Sequence, residues 1–217
     1  MDKIEAVVFD MDGLMFDTEK LWLDAAIKTN KEYGYNVPPE LIVECMGKRK
    51  DYIMAHLKEK MGENFDPIEF TNLNRKFMNE DVEKNGLAIK KGLRELLSFL
   101  NDKNIKIAIA SSSSVEKIHK RFKEANLDIN LFNYVIGGDM VTDPKPNPQI
   151  YLKSCEILGV KPENAIALED SEYGIISATS AGMKAILIPD VKEPSKEIVE
   201  MAYKKFDDLN QVMSLFN

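Results

Sequence analysis

The sequence predicts an α/β fold: a doubly wound, mostly parallel sheet with an all-α domain inserted after its first strand. Three observations carry this prediction. Apolar β-type runs alternate with helical periodicity from about Leu87 onward. A run of the same kind, Ile4 to Phe9, opens the chain. Between the two, from Glu19 to about Glu83, apolar residues recur only at helical spacing, as in Leu21/Ala25, Trp22/Ala26, Ile53/Leu57/Met61 and Leu73/Phe77.

Taken in order, Ile4–Phe9 is short, rich in β-branched residues and followed by Gly13, which marks a buried strand ending in a turn. The later alternation gives helix Gly92–Leu100, strand Ile105–Ala110, helix Val115–Ala125 and strand Tyr134–Ile136. Helix Pro148–Leu158, strand Ala165–Leu168, helix Gly174–Ala181 and strand Ala185–Ile188 follow. Strands separated by helices join through right-handed crossovers into a parallel sheet. The expected division is a core of residues 1–17 and 84–217 and a helical insertion of residues 18–83, joined by two short crossings that could act as hinges. Ser111–Ser114 is the single low-complexity run, and directly after a strand it reads as a loop and helix start.

The 217 residues suffice for a sizeable core, and 29 Lys and Arg against 36 Asp and Glu give a net charge of −7. That balance argues against nucleic acid as the main partner. No apolar run approaches the roughly 20 residues needed to span a bilayer, and Asp2 and Lys3 precede a strand instead of a signal peptide. The expectation is a cytoplasmic monomer with no membrane partner. Cys45 and Cys155 lie far apart and outside any Cys/His cluster, as small core residues do. His56 and His119 sit in Lys-rich helical patterns with no triad-like neighbour.

Ligands of open α/β sheets bind beyond the carboxyl ends of the strands, so the residues found there define a candidate site. Ile4–Phe9 leads into Asp10 and Asp12, Ile105–Ala110 into Ser111, Tyr134–Ile136 through Gly137-Gly138-Asp139 to Lys145, and Ala165–Leu168 into Glu169 and Asp170. If the backbone stays extended, the two-residue period sends Asp10 and Asp12 to one side, where a divalent cation would relieve their repulsion. Each residue also has a local reading. Asp and Gly suit solvated turns, Ser111 a helix cap, Lys145 an exposed loop, and Glu169-Asp170 an acidic turn before a helix. Together, carboxylates, a cation and a hydroxyl suit a phosphoryl group held by Lys145, Ser111 and magnesium.

Asp10-Met11-Asp12-Gly13, Ser111 after its strand, Lys145-Pro146-Asn147-Pro148, and Glu169-Asp170-Ser171 with Gly174 and Ala181-Gly182-Met183 stand in that order. They resemble the four motifs of the haloacid dehalogenase-like superfamily, over the whole chain, and most closely its β-phosphoglucomutase-like phosphatase branch with a helical cap. The departures are Pro144 where relatives usually have Gly and Gln149 where they often have Asp; neither removes a reacting group.

The resemblance implies a magnesium-dependent phosphatase working through an aspartyl phosphate, with Asp10 as nucleophile and Asp12 as general acid and base. It assigns the phosphate to Ser111, Ser112 and Lys145. Magnesium goes to Asp10, the backbone carbonyl of Asp12, Asp170, and Glu169 directly or through water. A true dehalogenase needs neither magnesium nor a second aspartate, and a phosphonate-cleaving relative has a small residue at the second position; Asp12 disfavours both.

Selectivity would come from the cap. Gly47-Lys48-Arg49-Lys50 resembles the branch's substrate-facing loop, which makes Gly47 and Arg49 candidate substrate residues; Arg49 could meet a second anion or a sugar hydroxyl, and a solvated basic loop end fits equally. Met15 and Trp22 could line the pocket's apolar side or simply pack a core. Sugar phosphates are the leading substrate class, ahead of nucleoside monophosphates. A β-phosphoglucomutase is the alternative, disfavoured because Trp22 stands where that enzyme has a histidine. A non-catalytic binding protein on the same fold would have no need of Asp10 or Asp12.

Overall fold

The computed structural model describes residues 3–48 and 50–216. In chain order, strand β1 spans Ala6–Phe9, and helices α1 to α4 span Thr18–Tyr33, Pro39–Cys45, Lys50–Met61 and Pro67–Asn85. Helix α5 (Leu93–Asp102), β2 (Lys106–Ala110), α6 (Val115–Glu124), β3 (Tyr134–Ile136) and α7 (Gln149–Leu158) follow. The chain ends with β4 (Ala165–Glu169), α8 (Glu172–Ser180), β5 (Lys184–Leu187), α9 (Lys196–Met201), β6 (Lys204–Lys205) and a 3₁₀ segment, Leu209–Phe216. It forms two compact units, one of residues up to Asp17 with Ala88 onward, the other Thr18–Leu87.

The first unit carries a six-stranded, all-parallel sheet in the order β3-β2-β1-β4-β5-β6. β1 lies between β2 and β4, so the chain winds outward in both directions from the centre and opens a crevice at the carboxyl ends of β1 and β4. Register fixes what faces what. Ala6 and Val8 lie opposite Ala165 and Ala167 on one side and Lys106 and Ala108 on the other. These residues share a face, and five of the six, Ala6, Val8, Ala108, Ala165 and Ala167, join a buried cluster with Tyr151, Cys155, Ile175 and Ala178 of α7 and α8. The small alanine side chains let those helices pack close. Around Phe9, Phe16, Phe122 and Phe132 form edge-to-face pairs at 5.4–5.6 Å.

Helix ends are set locally. The Ser114 hydroxyl accepts from Lys117 N (3.3 Å) to start α6, and the Ser171 hydroxyl from Gly174 N (3.1 Å) to start α8. The structure adds α9, β6 and the terminal 3₁₀ segment to the sequence expectation, which ends at Ile188. β6 is only two lysines long, and its pairing with β5 leaves no periodic apolar signal to read.

In the helical unit, α1 packs on α4, and Trp22 and Leu21 lean on a cluster of Ala25, Phe77 and Met78. Asp66 caps α4, accepting from Ile68 N (2.8 Å) and Glu69 N (3.0 Å), with Pro67 at its first position. Tyr35, Phe65 and Phe70 form an aromatic trio, and the Tyr35 hydroxyl donates to Glu69 (2.7 Å). Two segments of the first unit adjoin this insertion in sequence, and they pair with each other. Asp17 N donates to Ala88 O (3.0 Å), Lys90 N to Met15 O (2.9 Å), and Phe16 bridges Ile89. No described helix is long and apolar enough to cross a membrane.

Candidate active site

The alternation that places Ala6 and Val8 on the α7 face places Asp10 there too, one step beyond the strand. The register Phe9↔Leu168 sets Asp10 beside Glu169 on the neighbouring strand. Asp10 N donates to Leu168 O (3.0 Å), which extends the ladder through that residue. Two carboxylates therefore share one buried face, Asp10 8% and Glu169 0% exposed.

Lys145 comes from the loop before α7, on the same side of the sheet. Its ammonium donates to Asp10 Oδ1 (2.6 Å), Glu169 Oε1 (2.6 Å), Ala110 O (2.9 Å) and Tyr151 Oη (3.2 Å). Burial opposes its charge, but the two carboxylates outweigh that cost and hold its pKa above the ordinary lysine value. Tyr151, on α7, donates its hydroxyl to Glu169 Oε1 (2.5 Å), and Ser171 donates to Glu169 Oε2 (3.2 Å). The Glu169 side chain is thus held at both oxygens. A Cβ at Gly174 would lie 1.8 Å from its Cδ, so only glycine leaves room for it at the start of α8.

The sequence reading sends Asp10 and Asp12 to one side if the backbone stays extended; in the structure the two side chains have separate partners. Asp12 Oδ2 accepts from Ser113 Oγ (2.8 Å) and lies 3.5 Å from Lys117 Nζ, which itself donates to Ser113 Oγ (2.9 Å). The Asp12 carboxylate makes no contact with the Lys145 group among the described hydrogen bonds. Ser111 is buried and its hydroxyl accepts from Ser113 N (3.1 Å), while Ser112 is exposed. This serine loop lies against Gly137-Gly138. Gly138 N donates to Ser113 O (2.9 Å), and a Cβ on Gly138 would come within 2.4 Å of Ser112 O.

Asp10, Glu169 and Asp170 each bring a carboxylate oxygen within 4.8 Å of the others. Three carboxylates against Lys145 leave the group two negative charges in excess, and all donors are hard oxygens, the set that magnesium prefers. Burial pushes the Asp10 carboxyl up to about 7, against the lowering pull of Lys145 and with smaller raising contributions from Glu169 and Asp12. A divalent cation fits both the donor chemistry and the charge.

Sequence reasoning missed Tyr151, Ser113 and Lys117. Tyr151 follows Lys145 by six residues inside an amphipathic helix and gave only the signal of a core aromatic. In the helical unit, Gly47 is exposed at φ +67 after α2, and Trp22 is half-buried against Ala25, Phe77 and Met78. Arg49 lies outside the described residues.

Residues 7–188 match the family model of the haloacid dehalogenase-like hydrolases. The chain is similar to the phosphorylated carbohydrates phosphatase of Thermotoga maritima, 34% identical over 84% of each chain. It also resembles two crystal structures at identities that speak for fold alone. One is a haloacid dehalogenase family hydrolase from Deinococcus radiodurans with bound phosphate and sodium (TM-score 0.82, 22% identity, covering 100% of this chain and 96% of that one). The other is β-phosphoglucomutase from Clostridium difficile (TM-score 0.72, 22% identity, covering 96% and 93%). Sheet order, strand-end carboxylates and relatives converge, and the chain belongs to the haloacid dehalogenase-like hydrolase family as an enzyme of its phosphatase kind.

Proposed function

We propose that this enzyme is a magnesium-dependent phosphatase of small phosphorylated metabolites, sugar phosphates first among them, and that it works through an aspartyl phosphate on Asp10. The observation that carries this reading is Lys145 Nζ seated 2.6 Å from both Asp10 and Glu169 in a group with two excess negative charges. The substrate class is supported by the similarity to a phosphatase named for phosphorylated carbohydrates.

In this reading an Asp10 oxygen attacks phosphorus as the bond to the leaving oxygen breaks, and Asp12 gives its proton to that oxygen. Water then attacks the phosphorus of the aspartyl phosphate and passes its proton to Asp12. Inorganic phosphate leaves, and both aspartates regain their starting states. Lys145, Ser111 and the exposed Ser112 would bind the non-bridging phosphate oxygens. Asp10, Asp170, the Asp12 carbonyl and Glu169, directly or through water, would hold magnesium. When bound, the ion neutralises charge on the transferring phosphoryl group. Ser113 and Lys117 hold the Asp12 side chain apart from Lys145, so the two aspartates have separate partners while standing two residues apart. Gly47, Arg49 and Trp22 remain the proposed selectivity residues of the helical unit.

The test is phosphate release with MgCl2 across sugar phosphates and nucleoside monophosphates, with α- and β-glucose 1-phosphate followed for conversion to glucose 6-phosphate. Release from sugar phosphates, abolished by EDTA, is expected. Isomerisation without release would assign a mutase, and turnover in pure Asp10→Asn would remove the nucleophile from the mechanism.

A further inference from the structure

The proposed chemistry leaves one buried acid unused. Asp190 lies in the loop after β5, where the next strand end meets the crevice, and its side chain is 6% exposed. Its Oδ1 takes the ammonium of Lys90, which also lies 3.5 Å from Asp17 Oδ1. Its Oδ2 is buried without a hydrogen-bond partner among the described residues. An ion pair with Lys90 accounts for the first oxygen and leaves the second unexplained. A buried acceptor left unpaired is costly and calls for a donor.

The direction of that oxygen is informative. A Cβ on Gly13 (φ +89) would lie 2.2 Å from Asp170 Oδ2 and 3.4 Å from Asp190 Oδ2, so both carboxylates face the space beside the bare Gly13 backbone. Carboxylate oxygens of Asp170 and Asp190 lie within 4.8 Å of each other. Lys90 is engaged on Oδ1 of Asp190, and its Oδ2 faces the Asp170 carboxylate. Two like charges so placed need a cation, or a polarised donor, between them.

We propose that Asp190 is a positioning residue for the metal site. Its Oδ2 accepts a hydrogen bond from a water of the hydrated cation that Asp10 and Asp170 would hold, while Lys90 grips Oδ1 and fixes the direction of the carboxylate. Magnesium keeps several of its waters in protein sites, and acceptors for those waters orient the ion. The inference rests on the metal reading above and adds to it a residue beyond the four motifs. It also explains why position 13 carries no side chain, since any Cβ would fill the space that the two acids face.

Calorimetric titration of the full chain with MgCl2, at constant pH and without substrate, tests this directly. Asp190→Asn is expected to bind magnesium about 10-fold or more weakly than wild type. An affinity within twofold of wild type would overturn the proposal. A wild-type protein that binds no magnesium would overturn both this inference and the metal reading, which separates the two failures. Should Asp190→Asn not fold, Lys90→Met decides by thermal unfolding. Its Asp190 carboxylate has lost the grip that directs it, so magnesium should raise its melting temperature by less than it raises that of wild type. An equal or larger rise would mean that the direction set by Lys90 does not serve the metal site, and the proposal would fall.

Discussion

Two wholly buried polar side chains, Glu169 in the sheet unit and Asn74 in the helical unit, are treated in opposite ways. In the sheet unit Glu169 is wholly buried, yet Lys145, Tyr151 and Ser171 all donate to it, and Gly174 is bare to make room for it. In the helical unit Asn74 is also wholly buried, on α4, and neither its oxygen nor its nitrogen has a hydrogen-bond partner among the described residues. Parallel register offers fixed neighbours, because a residue one step past β1 meets the residue one step along β4. A helix face offers none in advance, and a polar side chain on it depends on what packs there. Sub-ångström placement of reacting groups is better served by the first arrangement than by the second.

The comparison can be broken most decisively at Asp10. Asp10→Asn should lower phosphate release by on the order of 10⁴ or more, as loss of a nucleophile does. The same change removes one of the crowded charges, so the metal-free variant should melt no lower than wild type. A clear loss of stability would mean that Asp10 is structural. Next in size, Lys145→Met should destabilise the fold by about 3–5 kcal/mol in urea denaturation, because it strands two buried carboxylates. A loss under about 1 kcal/mol would show that water reaches the group.

The pH dependence follows from the burial of the same group. The Asp10 carboxyl moves up from 3.8 to about 7 through burial first, with Glu169 and Asp12 adding to it. The native state then binds the extra proton, so this contribution is fully present below about pH 4 and is lost as pH rises through about 7. Melting of EDTA-treated protein should therefore fall across that window, and excess MgCl2 should flatten the slope. A smaller effect is expected from Tyr151→Phe, which removes one donor from Glu169 and should cost about 1–2 kcal/mol. Smallest, and opposite in sign, Asn74→Leu should leave stability unchanged or raise it by about 1 kcal/mol, since it discards an unpaired buried amide. A marked loss there would reveal a partner for Asn74 and weaken the contrast between the units.

How much of this was legible depended on the same contrast. The alternating pattern identified β1 to β5 and the parallel sheet, because buried parallel strands are continuous apolar runs. It also identified which residues follow the strand ends, and the structure gathers Asp10, Lys145, Glu169 and Asp170 into one group. Tyr151, Ser113 and Lys117 stayed hidden because each lies inside or beside a helix, where sequence spacing gives a face but not a partner. Asp190 stayed hidden for another reason. It follows β5 as Asp10 follows β1, but its meaning comes from Gly13 and Lys90, which are distant in sequence. The edge strand β6, two lysines flanked by exposed Tyr203, carries no pattern at all.

The short ladder formed by Asp17 with Ala88 and Met15 with Lys90 has a consequence for engineering. Its hydrogen bonds close the mouth of the insertion within the sheet unit itself, so the two cut ends already stand at turn distance. The inserted helices are in that sense a cassette. A short Gly-containing turn between Asp17 and Ala88 should allow the sheet unit to be expressed without them, since closing so small a gap costs little loop entropy. Cassettes from other members of the family could be spliced in at the same seam, which would test the proposal that the helical unit sets leaving-group preference.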